Sequence, residues 1–176
     1  MGMARTADRP RTLAGRPAGE LEGLFARGGV PDPPPKGRLR GSLLHLTLGP
    51  AGGLLAPMAA VWLGKRFEAD RDAGENVFDQ RVFRVGRLLT PAAYQAYWPE
   101  DSRSYRALAF STTVGPGALD PGIEVLRIDY DLPGNAPPFR RILDELVEVE
   151  PGVYLGQALL RRRGGHRRLA WFTLEA

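Results

Sequence analysis

A chain of 176 residues, 43% hydrophobic and 25% charged, is long enough to bury one core and too short for two ordinary domains. No apolar run approaches the roughly 20 residues that span a bilayer, so no membrane association is expected. The absence of cysteine excludes disulfides, thiolate zinc sites, iron–sulfur clusters and cysteine nucleophiles. The net charge is +4, and of the 24 basic residues only Lys36 and Lys65 are lysines. Set against 20 acidic residues, this arginine excess reads as a solvated, salt-paired surface.

Residues 1–16 mix Arg, Pro, Gly and Thr without periodicity, which predicts a disordered tail ahead of one domain over 17–176. The tail has positive charge but no apolar segment of a secretory signal, so a cytoplasmic location is expected. In residues 17–27 the apolar positions Leu21, Leu24 and Phe25 recur at helical spacing, and Gly28-Gly29 stops the run. Four prolines within residues 31–36 then make an extended connector.

Alternating or apolar runs follow at 38–48, 58–67, 77–87, 104–113, 123–131, 145–149, 152–161 and 168–175, which predicts about eight strands. Short helices are expected at 91–98, opened by Thr90 and Pro91, and at 138–146. Neither is long enough for a βαβ crossover. Hairpin-joined strands in a domain of this size form an antiparallel sheet, and closing it removes the exposed edges. The expected fold is therefore mainly β, a single-domain antiparallel barrel. Leu126, Ile128 and Tyr130 share its inward face with Leu132. In the last strand both faces are apolar, so one of them is expected to pack beneath a helix. Periodicity leaves open whether the interior is a cavity or a filled core.

Two stretches resemble a known family. Gly37 to Gly41, followed at a distance by Trp62-Leu63-Gly64-Lys65-Arg66-Phe67, is similar to the GXWXG-domain family, although Arg38-Leu39-Arg40-Gly41 lacks that motif's tryptophan. Tyr130-Asp131-Leu132-Pro133, Asn135, Phe139-Arg140, Asp144, Leu155-Gly156 and Trp171-Phe172-Thr173-Leu174 resemble the uncharacterised domain that usually follows it. The resemblance implies a lipocalin-like (calycin-like) barrel and brings no catalytic residues with it.

Candidate site residues are scattered over the strands. His45, placed with Leu43 and Thr47, is a candidate general base if that face lines a cavity. Tyr130, Tyr105 and Arg66 are the other candidates for polarising a substrate carbonyl. Trp62, Tyr130, Tyr154 and Trp171 present rings suited to an apolar lining, and Arg81, like Arg66, is a candidate clamp for an anionic group. Asp129 and Asp131 read as a solvent-facing pair, and Asp144, Glu145, Glu148 and Glu150 as a charged outer face. Two histidines without ligand spacing predict no metal site, and no cofactor is expected. Arg161, Arg162, Arg163, His166, Arg167 and Arg168 surround Gly164-Gly165, which reads as a hairpin. The chain carries no nucleic-acid-binding motif, so a nucleic-acid partner is not expected.

These readings lead to a barrel that binds a hydrophobic small molecule. One alternative is a cofactor-free cyclase or isomerase acting on a polyene or polyketide-like substrate. Another is an interaction module that uses the Arg-rich hairpin. A homodimer remains open.

Overall fold

The computed structural model describes residues 13–47, 60–70, 72–80 and 98–176. One α-helix, α1 (Ala18–Arg27), precedes the sheet, with Glu20 in its first turn and Arg27 in its last, each complementing the helix dipole. Strands follow in the order β1 (Gly37–Leu46), β2 (Trp62–Phe67), β3 (Ala73–Asp79), β4 (Trp98–Pro99), β5 (Ser104–Pro116), β6 (Glu124–Asp129), β7 (Ile142–Glu150), β8 (Val153–Arg162) and β9 (Gly165–Glu175). Every pairing is antiparallel, in the order β3-β2-β1-β9-β8-β7-β6-β5-β4. An additional β3–β5 pairing closes eight strands into a barrel, with β4 as an extra strand on β5. The expected antiparallel β-barrel is the fold that forms.

Closure depends on β5 serving two neighbours. Its residues 104–111 pair with β3, and its residues 111–116 pair with β6. The strand bends at Leu108, whose backbone is left-handed at φ 55°. A register shift between Glu75 and Asn76 on β3 lies opposite that bend, as expected for a bulge that curves a sheet.

The apolar residues form two layers. Leu39, Phe67, Phe110, Leu126, Leu146 and Leu174 belong to a cluster that fills part of the barrel interior. Outside the wall, Leu21 and Phe25 of α1 pack with Val147, Leu155 and Trp171. The last strand therefore has two buried faces, and α1 covers one of them. Gly29 pairs reciprocally with Glu148, fastening the end of the helix to β7. Leu13, expected in the tail, is buried in this outer layer. Residues 1–12 lie outside the described part of the chain.

The expected helix at 138–146 is corrected to a 3₁₀ turn at Phe139–Arg141 that runs directly into β7. Phe139, Ile142, Leu143 and Leu146 have helical spacing, but ladders with β6 and β8 on either side hold this segment extended. Of the helix expected at 91–98, only Trp98 is described, and it belongs to β4. The expected strand at 77–87 begins earlier, at Ala73; its residues 81–87 are outside the described part.

Candidate functional site

One part of the barrel interior opens as an apolar pocket of roughly 130 Å³. Leu43, Phe78, Phe139, Ile142, Ala158 and Ala170 contribute to its walls. Trp62 and Phe172 also line it, with their rings edge to face at 5.4 Å. Polar side chains enter this lining at four places: Lys65, Asn76, Tyr130 and Asp144.

The placement of Lys65 follows from a bulge. Strict alternation puts Trp62 on the same face as Gly64 and Arg66, opposite to Lys65. A register shift between Trp62 and Gly64 reverses that parity, so Trp62 and Lys65 both face the pocket. Gly64 makes the shift possible with φ at 134°, a region that side chains rarely adopt. A Cβ there would lie 2.1 Å from the Leu39 carbonyl oxygen. Gly41 across the ladder is equally constrained, since a Cβ would lie 2.5 Å from the Trp62 ring.

Lys65 is 2% exposed. Its Nζ donates to Asp144 Oδ2 at 2.7 Å, to Asn76 Oδ1 at 2.9 Å, and to the Tyr130 hydroxyl. The rings of Trp62, Phe110, Tyr130 and Phe172 surround it, with centroids 5.1 to 5.5 Å from the nitrogen. Asn76 is oriented by its own contacts: Oδ1 also accepts from Trp62 Nε1 at 3.0 Å, and Nδ2 donates to the Leu108 carbonyl at 3.1 Å and to Tyr130 at 3.0 Å. The Tyr130 hydroxyl donates to Asp144 Oδ2 at 2.9 Å. After Tyr130 the chain turns, and buried Asn135 secures that corner by donating to the carbonyls of Tyr130 at 2.8 Å and Ala109 at 2.7 Å.

Burial pushes the Lys65 ammonium below its ordinary 10.5, against the opposing pull of Asp144. Burial and the neighbouring Asp144 charge push the Tyr130 phenol well above 10.0, so it remains a donor. Asp144 is 5% exposed, and both of its contacts above use Oδ2. Its Oδ1 is buried without a hydrogen-bond partner. A buried carboxylate oxygen without a hydrogen-bond partner carries a substantial desolvation cost.

The other expected site residues are dispersed. His45 is exposed, and its Nε2 is 2.7 Å from the Arg16 carbonyl oxygen. A register shift between Leu43 and His45 separates it from Leu43, which lines the pocket. Arg66 lies on the outer wall, paired with Glu100 at 2.7 Å. Tyr105 stacks on Phe78 at 5.6 Å and does not line the pocket. Tyr154 is buried in the filled inner cluster, again away from the pocket lining. Trp171 is outside the wall, edge to face with Phe25 at 5.5 Å. Arg81 falls outside the described residues. Trp62 and Tyr130 line the pocket, as already described.

Two acids expected on a charged outer face are corrected. Asp144 points inward, and Glu145 is fully buried, accepting from the Ala118 amide at 2.6 Å and from Gln157 at 2.8 Å. Asp129 and Asp131 lie toward the surface, paired with Arg161 at 2.6 Å and Arg140 at 2.7 Å. The Arg-rich segment does form a hairpin, with Arg162 opposite Gly165.

Among the described residues no group of three or more His, Asp or Glu side chains gathers to hold a metal, and no helix is long and apolar enough to cross a membrane. Fold and site together define a closed antiparallel barrel with an apolar pocket built around a buried Lys–Asp–Tyr–Asn cluster. No family model matches the sequence, and no curated protein matches it. Its fold is similar to the crystal structure of a protein from Thermomonospora curvata. That chain is 21% identical, with a TM-score of 0.56 over 91% of this chain and 87% of the other.

Proposed function

We propose that the barrel binds a small hydrophobic molecule carrying one hydrogen-bond donor, with the donor directed at Asp144 Oδ1. The observation that carries this reading is a largely apolar pocket whose lining includes Asp144, a buried carboxylate with one oxygen, Oδ1, left without a hydrogen-bond partner. A dry cavity of about 150 Å³ accommodates benzene, so a pocket of roughly 130 Å³ suits a single ring or a short branched chain. The lipocalin-like resemblance of the sequence is consistent with such a role.

Benzyl alcohol and toluene form a matched pair of probes, one with a donor and one without. A hydrogen bond to a charged group contributes about 1.5–3 kcal/mol, so benzyl alcohol is expected to bind at least about tenfold more tightly in a ligand-observed NMR titration. Ala158→Phe, which fills the pocket, should abolish both interactions. Equal affinities would remove the role given to Asp144, and no saturable binding of either probe would sink the reading.

The same cluster supports a second reading, cofactor-free isomerisation. In this reading Asp144 would take a proton from a bound molecule, supported by the Tyr130 and Lys65 donors within the same cluster. The hairpin offers less support for an interaction module, because Arg161 and Arg168 are engaged by Asp129 and Glu22.

A further inference from the structure

Of 24 basic residues, 22 are arginine, yet the position buried at the pocket is a lysine. An ion pair alone does not call for that choice, since arginine is the usual residue for buried pairs. Lysine differs in being able to lose its proton and become a nucleophilic amine. Lys36, the other lysine, is exposed. At Lys65 the amine meets an apolar pocket, a carboxylate 2.7 Å away with its second oxygen free, and four aromatic faces.

We infer that Lys65 is a carbonyl-reactive residue, its Nζ condensing reversibly with the aldehyde or ketone group of a small hydrophobic molecule held in this pocket. The inference rests on the small-molecule reading above and specifies its ligand class. In the first step a proton passes from Nζ to the hydrogen-bonded Asp144 oxygen 2.7 Å away, which leaves a neutral amine with a free lone pair. The nitrogen lone pair attacks the carbonyl carbon; a C–N bond forms, and the π electrons move to oxygen, which takes the proton from Asp144. Asp144 then removes a proton from nitrogen and delivers it to the carbinolamine hydroxyl. The C–O bond breaks, water leaves, and a protonated imine remains beside the regenerated carboxylate. Charge balances: one ammonium and one carbonyl become one iminium and one water. The surrounding rings, which now face the ammonium, would face the iminium and stabilise it. Tyr130 stays protonated and positions Asp144 through Oδ2.

The test uses the full chain, benzaldehyde and sodium cyanoborohydride near neutral pH, with intact mass and peptide mapping as readouts. Reduction traps any imine as a stable benzyl-amine. Lys65 is expected to be labelled at least about tenfold faster than Lys36, because the pocket holds the aldehyde beside its amine while Lys36 meets it only from solution. Excess benzyl alcohol should slow labelling at Lys65 and leave Lys36 unchanged. Lys36→Arg should retain the fast site, and Lys65→Arg should lose it. If Lys65→Arg fails to fold, the comparison of Lys65 with Lys36 in the native chain still decides. Labelling of Lys65 no faster than Lys36, with benzyl alcohol still bound, overturns the imine and leaves the pocket reading standing. Slow labelling together with no benzyl alcohol binding overturns both.

Discussion

Lys65 and Asp144 each make the other tolerable in a site with little water. Removing one partner from a buried pair typically costs about 3–5 kcal/mol, because the remaining charge is left uncompensated. Lys65→Met should therefore lower the urea midpoint strongly, and adding Asp144→Leu should recover much of the loss; a double variant as unstable as Lys65→Met would contradict this coupling. The two shifted groups also impose a pH signature. Lys65 is lowered from 10.5, so between its folded value and 10.5 the unfolded chain holds the extra proton, and stability rises with pH. Tyr130 is raised from 10.0, so above that pH the unfolded chain loses its proton first, and stability falls. Urea melts across alkaline pH should show a rise that Lys65→Met removes and a fall that Tyr130→Phe removes. Tyr130 was accessible to sequence reasoning because Leu126, Ile128 and Tyr130 alternate without interruption. Lys65 carried a signal that went unused, its rarity in an arginine-rich chain. Asp144 stands among the residues of the family resemblance, but its place beside Glu145 gives it the pattern of a solvated pair and hides its inward direction.

Among the elements, strands are legible where alternation runs unbroken, as in β6, or where the run is largely apolar, as in residues 169–174 of β9. Site faces were misjudged where a bulge intervened. One extra residue near Gly64 exchanged Arg66 for Lys65, and another near His45 turned the imidazole outward. Single sequences do not mark such positions, because a glycine in a strand fits a bulge, a bend or a close contact equally well. The structure makes Gly64 specific. Gly64→Ala would place a side chain in a strained conformation and against the Leu39 carbonyl. Strain of this kind costs about 1–3 kcal/mol, and the steric overlap adds to it. A urea midpoint unchanged from the native chain would show that β2 reaches its register without the bulge. At 138–146 the helical spacing was real, but pairing with two neighbouring strands decided the outcome.

Across the whole molecule, antiparallel order and barrel closure follow from the number of strands and the lack of crossover helices, both of which are legible in the sequence. The division of the interior is not. Alternation identifies an inward face without stating whether its side chains meet at the centre. Here Phe67, Phe110 and Leu126 help fill one part, while small residues such as Ala158 and Ala170 contribute to the lining of the other. The same layering distributes the three tryptophans among unlike surroundings: Trp98 is 59% exposed, Trp171 is 2% exposed beneath α1, and Trp62 stands at the pocket with its indole N–H bonded to Asn76. The protein thus contains its own optical gauge. A change in pocket contents alters the polarity around Trp62 while the other two indoles supply a fixed background, so occupancy can be followed by emission without attaching a dye.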